Sequence, residues 1–193
     1  MIHRLYNWTL GLAGHPHALA VLAIIAFAES SAFPIPPDVL IIPMVLASRE
    51  RWLVIAGVCT VASVLGGLAG YGIGYYLYET IGVAIVEFYG YAAKFETFQQ
   101  WYDEFGLMIV FAAGLTPLPY KVFTISSGVA SLEIWSFIGG SAVSRGLRFF
   151  FVAGLLWHYG DPIRIFIEKY LNILAVLFTV LLVGSFVVLK YLI

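Results

Sequence analysis

The sequence predicts an all-α integral membrane protein: an inverted repeat of a re-entrant helical hairpin plus a transmembrane helix, with interfacial amphipathic helices and a final transmembrane helix. Three observations predict it. First, 62% of the 193 residues are hydrophobic, 11% are charged and the mean hydropathy is +0.96, against about 45–50% and about 25% in soluble domains. A soluble domain of this size cannot hide so much apolar surface, so the solvent is lipid, where every backbone group must be paired internally. Second, uncharged runs of spanning length alternate with apolar limbs broken by prolines. Third, this hairpin-plus-span unit occurs twice, 83 residues apart. The composition excludes a cytosolic enzyme, a disordered chain and a disulfide scaffold. A net charge of −1 gives no support to a nucleic-acid partner, and the single cysteine, Cys59, excludes an internal disulfide.

The whole chain, 1–193, reads as one membrane domain. Residues 1–14 place Ile2, Leu5, Trp8 and Leu12 at helical spacing, which predicts a short interfacial helix. Residues 18–48 are strongly apolar but are interrupted by Glu29-Ser30-Ser31 and by Pro34-Ile35-Pro36-Pro37-Asp38. The limb before the break is roughly 21 Å long at ~1.5 Å per residue, short of the ~30 Å of a bilayer core. The limb after it is no longer, and Pro34, Pro36 and Pro37 cannot all sit inside a regular helix. Two short limbs joined by a polar proline turn predict a re-entrant hairpin over 18–48. An alternative reading takes Ala26-Phe27-Ala28 as a signal-peptidase site.

Residues 52–78 carry no charge and predict a transmembrane helix, with a small-residue face at Gly66, Gly70 and Gly74 and a tyrosine belt at its end. In 80–105, Phe88, Tyr91, Phe95, Phe98, Tyr102 and Phe105 recur at spacings of three and four, with Lys94, Glu96, Asp103 and Glu104 on the other faces. That pattern predicts an amphipathic helix in the interface; the alternative is a short coiled-coil seam. Residues 107–131 repeat the hairpin pattern around Thr116-Pro117-Leu118-Pro119-Tyr120-Lys121. Residues 134–157 are a second span, carrying Arg145 and Arg148, and 171–193 are a third.

Shifting the chain by 83 aligns 34–57 with 117–140, with ten identities in twenty-four positions, among them Pro34/Pro117, Pro36/Pro119 and Trp52/Trp135. Proline and tryptophan matches are informative because both residues are rare. A re-entrant hairpin makes no net crossing and the span makes one, so the second unit starts on the opposite side. That is the inverted repeat common in secondary transporters, whose broken segments form a site near the midplane. Arg4, Arg49, Arg51, Arg164 and Lys169 then lie on one side, against Lys94 and Lys190. The positive-inside rule puts the amino terminus in the cytoplasm.

Glu29 and Asp38 flank the first proline turn, and Lys121 stands opposite Asp38 in the repeat. If the hairpin tips meet, Asp38 and Lys121 neutralise each other, as buried ions require; the alternative is a pair of solvated turn residues. Glu29, flanked by apolar residues, suits the binding and release of a coupling proton. Arg145 and Arg148 stand near the centre of a span, where each costs roughly 2.5–3.5 kcal/mol on the insertion scale. Three apart, they share one helix face. Their forks suit a phosphate or carboxylate ligand; the alternative is an internal pair with Glu29 or Asp38. Glu50 and Glu133 begin spans, where a carboxylate favours the helix dipole. His15-Pro16-His17 reads as a juxtamembrane turn rather than a metal site, and His158 as interfacial. No metal and no cofactor are expected. Two enzyme readings fail on spacing. A lipid phosphatase needs a histidine soon after its arginine, and His158 is thirteen positions past Arg145; a rhomboid-type Gly-x-Ser-Gly is not met by Ile125-Ser126-Ser127-Gly128.

The chain resembles the DedA (VTT-domain) family of bacterial membrane proteins, and most closely its YqaA-like branch. The resemblance rests on FAESSAFPIPPDVLIIP (27–43), GGLAGYGIG (66–74), GLTPLPYKVFTISSGVA (114–130) and SRGLRFFF (144–151). It implies a multi-pass inner-membrane protein that moves undecaprenyl phosphate or phospholipids, in dependence on the proton-motive force. The family's acidic pair matches Glu29 and Asp38. Two features depart from the pattern. Gly114 and Lys121 stand at or beside the places of two family arginines, and Gly67 stands where an acidic residue is common. Arg145 and Arg148 are the residues that would supply the missing positive charge.

The expectation is therefore a lipid transporter or flippase for an anionic head group, not an enzyme. Lys121, Arg145 and Arg148 would bind the phosphate, Glu29 and Asp38 would carry protons, and Pro34, Pro36, Pro37, Pro117 and Pro119 would form the hairpin turns. Its partners would be membrane lipids and protons, with a second copy of the chain as a further candidate through the 66–74 glycine face. The alternatives are a transporter of a small ion or solute with the same charged residues, and a non-transporting membrane scaffold.

Overall fold

The computed structural model describes residues 17–31, 36–88, 92–116, 119–160 and 162. The expected interfacial helix at 1–14 and the final span at 171–193 lie outside the described residues, as do Pro34 and Pro117. Among the described residues every regular element is helical. They are α1 (Ala18–Ser31), α2 (Asp38–Ala47), a 3-10 turn (Arg49–Arg51), α3 (Trp52–Leu77), a π-helical turn (Tyr78–Gly82), α4 (Val83–Phe88), α5 (Ala92–Leu115), α6 (Tyr120–Val129) and α7 (Ile134–Tyr159).

The helix starts follow from local chemistry. Pro37, with φ −67°, leads into α2 already in helical geometry, and Asp38 places a carboxylate in the first turn. Pro119, with φ −68° and ψ 95°, precedes α6 in extended backbone, so the helix starts at Tyr120. At the head of α7 the Glu133 carboxylate accepts hydrogen bonds from the backbone N–H groups of Ser136 (2.6 Å) and Trp135 (3.1 Å). The hydrogen bonds of Ser136 and Trp135 hold the Glu133 carboxyl below the usual carboxylate range. A carboxyl lowered in the folded state contributes stability above its unfolded pKa and loses it as pH falls through the folded value. Glu133→Ala is therefore expected to lower the melting temperature at neutral pH. The gap to wild type should close as the buffer is acidified through the carboxylate range; a constant gap would contradict the cap. Gly160, with φ 40°, ends α7 in a backbone conformation that glycine adopts without penalty.

Two boundaries differ from the sequence expectation. The break expected near residue 79 is absent: the chain stays helical through Phe88, widening into a π turn at Tyr78–Gly82. Here the Thr80 hydroxyl donates to the carbonyls of Tyr76 (2.8 Å) and Leu77 (3.3 Å), the kind of back-bonding that distorts a helix without ending it. The break expected at Gly106 is absent too. The amphipathic stretch and the first limb of the second hairpin form one helix, α5. A lone glycine costs a helix about 1 kcal/mol and does not stop it, and a Cβ at Gly106 would overlap the Leu132 side chain.

Helix α3 is the hub, packed on α1, α6 and α7, while α5 packs on α7 and α2 on α3 and α7. One apolar core gathers Leu22 and Ala26 of α1, Ile41 and Val45 of α2, Ile55 and Cys59 of α3 and Phe149 of α7. A second gathers Val110 and Ala113 of α5, Tyr120 of α6 and Phe137 of α7. The glycine face of α3 is used inside the chain: Gly66 abuts the Phe27 backbone of α1 and Gly74 the Ile125 backbone of α6. The outer faces are apolar as well, with Leu53, Val61, Leu65 and Ile73 of α3 and Leu147 and Phe151 of α7 exposed. The helical stretch Arg49–Gly82 is long and apolar enough to cross a membrane by length and composition.

Helix lengths echo each other. α2 and α6 both have 10 residues, and α3 and α7 both have 26. Their starts, Asp38 to Tyr120 and Trp52 to Ile134, are each 82 residues apart, within one residue of the shift that aligns the sequences and inside the tolerance of helix ends.

Candidate functional site

Helix α7 carries Arg145 and Arg148 on its inner face, because a spacing of three keeps both side chains on one side. Each meets a carboxylate from the first third of the chain. Arg145 is almost wholly buried, at 2% exposure, and its Nη2 donates to Glu29 Oε2 at 2.6 Å. Its Nε donates to the Ser63 hydroxyl at 2.6 Å. The Ser63 and Ser30 hydroxyls lie 2.7 Å apart, and Ser30 donates to Glu29 Oε2 at 3.1 Å. Each serine has one proton. Ser30 directs its proton at Glu29, so Ser63 donates to Ser30. The result is a closed cycle running from Arg145 through Ser63 and Ser30 to Glu29, met from the other side by Arg145 itself.

The aromatic rings complete the clamp. The Arg145 guanidinium lies over the rings of Tyr120 and Phe149, 4.7 Å from each centroid. The Tyr120 hydroxyl donates to Ser141 of α7. Nearby, the Thr124 hydroxyl of α6 points at the backbone carbonyls of Ser30 (3.2 Å) and Lys121 (3.0 Å). Four helices, α1, α3, α6 and α7, thus converge on one cation whose Nε and Nη2 both have partners. A buried ion pair is tolerable only when hydrogen bonds satisfy the remaining groups in this way.

The second pair is looser. Arg148 Nη2 donates to Asp38 Oδ2 at 2.8 Å, and its Nη1 donates to the Thr116 carbonyl at 3.0 Å. Their side chains are 20% and 24% exposed. Arg148 also lines an apolar cavity of about 450 Å³ with Leu115, Leu147, Phe151 and Val152.

Of the sequence candidates, Glu29 and Arg145 come together, and Asp38 and Arg148 come together. Asp38 does not meet Lys121, and the expected pairing of the hairpin tips is corrected on this point. Equivalent positions in a repeat need not face each other: α2 packs on α7, whereas α6 packs on α3 and α5. Asp38 therefore finds its cation on α7. Lys121 sits partly exposed on α6. Pro36 and Pro37 precede α2, and Pro119 precedes α6. Sequence reading missed Ser30, Ser63 and Tyr120 as members of the site. Ser63 carried a usable signal, a hydroxyl midway along an uncharged apolar run; Tyr120 carried none beyond its place beside Lys121.

Among the described residues, fold and site together define an all-helical protein in which two arginine–carboxylate pairs, Arg145–Glu29 and Arg148–Asp38, are set among apolar helices. The chain belongs to the VTT-domain (DedA) family, whose model matches residues 35–158; these are membrane proteins proposed as transporters or flippases. It is 36% identical over 186 residues to a protein of Haemophilus influenzae described as uncharacterized, with 96% of each chain covered. It is 34% identical over 151 residues to another of Histophilus somni, likewise described, with 78% of each covered. No solved structure matches the chain significantly.

Proposed function

We propose that this protein moves a lipid with an anionic head group across the bacterial inner membrane, coupled to proton movement. In this reading the two hairpin-plus-span units form an inverted repeat, with the amino terminus in the cytoplasm. The equal helix lengths of α2 and α6 and of α3 and α7 support the repeat. The exposed apolar faces and family membership support the membrane setting.

The observation that carries the reading is the Arg148–Asp38 pair. It is partly exposed and borders an apolar cavity, so a charged group can reach it from hydrocarbon. A phosphate is a better match to the arginine fork than a single carboxylate oxygen, and can replace Asp38 there. The released Asp38 then holds an unpaired charge in a poorly solvated place, which taking up a proton removes. For a head group bound as a monoanion, one anion bound and one proton taken up leave the charge of the site unchanged, which is a coupling rule. Lys121, partly exposed on α6, supplies further positive charge for the head group. Glu29 stays tied to Arg145 in this reading, so the coupling proton rides on Asp38.

The test uses proteoliposomes offered undecaprenyl phosphate and phosphatidylethanolamine in turn, at two pH gradients. Flipping of the phosphate lipid should follow the gradient. It should fall to the protein-free background in Arg148→Gln, whose thermal midpoint is measured in parallel. Undiminished flipping by folded Arg148→Gln would sink the reading. Gradient-independent flipping of both lipids would indicate a scramblase, and flipping of neither would favour a solute carrier or scaffold.

A further inference from the structure

The two arginines of α7 are built for different work, and the difference locates a site for the hydrocarbon part of the ligand. Arg145 has its Nη2 and its Nε committed to Glu29 and Ser63, two rings over its plane and 2% exposure. No incoming group reaches it without opening contacts from four helices. Arg148 holds one carboxylate oxygen and one backbone carbonyl, lines an open cavity, and is 20% exposed against 2% for Arg145.

That space is lined mainly by one face of α7. Leu147, Arg148, Phe151 and Val152 form one strip along α7, at positions i, i+1, i+4 and i+5, and Leu115 closes it from the last turn of α5. Leu147 and Phe151 are 53% and 67% exposed, so the strip opens outward along its apolar edge. The adjoining residue, Thr116, presents its carbonyl to Arg148. A cation set into an otherwise apolar groove is complementary to a molecule with an anionic end and a hydrocarbon tail. The cavity volume of about 450 Å³ lies within the ~300–1,000 Å³ of ordinary ligand sites.

We infer that the groove formed by Leu115, Leu147, Phe151 and Val152 seats a hydrocarbon chain of a lipid phosphate whose head group takes the place of Asp38 on Arg148, while Arg145 and Glu29 stay closed as a positioning pair. The inference rests on the anionic-lipid reading above and adds the chain-binding surface and the division between the arginines. It makes chain length as well as head-group charge a determinant of affinity. It also makes Arg145 a residue that touches no substrate but holds α7 so that Arg148 faces the groove.

The test is equilibrium binding, which needs no transport. Full-length protein in detergent is mixed with a hexadecyl phosphate carrying a diazirine in its chain, and cross-linked peptides are mapped by mass spectrometry. Hexadecyl trimethylammonium, butyl phosphate and inorganic phosphate serve as competitors. The label should fall on the α7 segment containing Leu147 and Phe151, and none of the three competitors should displace it well. Leu147→Trp, at an exposed position that tolerates bulk, should narrow the groove and weaken hexadecyl phosphate by about tenfold or more, with butyl phosphate affinity unchanged. Arg148→Gln should weaken both phosphates by about 30-fold or more, and Arg145→Lys should keep the selectivity for phosphate over ammonium.

Labelling away from α7, or unchanged affinity in both Leu147→Trp and a second groove variant, Phe151→Ser, would overturn the groove. The anionic-lipid reading would then still stand if Arg148→Gln lost binding. Equal affinity of Arg148→Gln and wild type for every phosphate would overturn both. Loss of phosphate selectivity in folded Arg145→Lys would overturn the division between the arginines.

Discussion

Replacing Arg145 with methionine is expected to cost about 3–5 kcal/mol of stability, the range for removing one partner of a buried ion pair. Against the usual total of about 5–15 kcal/mol, that is a large share. The loss has three sources. Glu29, at 16% exposure, is left with a charge and no cation. Ser63 loses the donor to its hydroxyl, and the hydrogen-bonded cycle through Ser30 opens. The rings of Tyr120 and Phe149 lose the guanidinium between the helices that carry them. Adding Glu29→Gln to Arg145→Met should recover much of the stability, because the stranded charge disappears. Arg145→Lys should fall between, since an ammonium cannot serve Glu29 and Ser63 with a planar fork. Thermal unfolding of the four proteins in one detergent decides it. Equal midpoints for Arg145→Met and wild type would mean that the pair is not closed in solution.

Alanine substitution along α3 should have opposite signs at neighbouring glycines. At Gly66 a Cβ would overlap the Phe27 carbonyl oxygen and come within 2.8 Å of that residue's Cα and carbonyl carbon. At Gly74 it would overlap the Ile125 carbonyl oxygen, with the carbonyl carbon at 2.9 Å. Backbone atoms cannot swing aside as a side-chain tip can, so the helices must part. Overpacking of this kind costs about 1–3 kcal/mol and occasionally more. Gly72 meets nothing within 4 Å. There alanine only removes the backbone freedom of glycine and should gain about 0.5–1 kcal/mol. Denaturation midpoints of Gly66→Ala, Gly74→Ala and Gly72→Ala would show the alternation. The same set tests the use of the face. A dimer contact through these glycines predicts a changed oligomeric state on cross-linking with the monomer's stability intact, the reverse of what an internal contact predicts.

Much of the helical plan is legible in the order of the amino acids. Apolar composition, the proline breaks at 36–37 and 119, and the recurrence of the pattern after 83 residues place α1, α2, α3, α6 and α7 close to where they stand. These signals are local: proline acts on its own turn, and helical periodicity needs only a few neighbours. Where a local signal is weak the reading slips. The boundaries near Gly106 and Thr80 look like breaks, yet both stay helical: a lone glycine does not stop a helix and here packs on Leu132, and the Thr80 hydroxyl bonds back within its own turn.

The site divides along the same line. That Glu29, Asp38, Arg145 and Arg148 matter follows from the sequence, because charges in apolar stretches need partners wherever they lie. Which partner each takes does not follow. Glu29 meets Arg145 across 116 residues and Asp38 meets Arg148 across 110, and the repeat symmetry pointed Asp38 at Lys121 instead. The pairing is set by how α1 and α2 lie against α3 and α7, through close approaches such as Gly66 on Phe27, and those depend on the shapes of all the packed faces at once. The helices, and the charges that must be neutralised, are written in the chain. That one arginine is sealed and the other opens onto a groove was settled by packing, because burial belongs to the assembled helices and not to any single one.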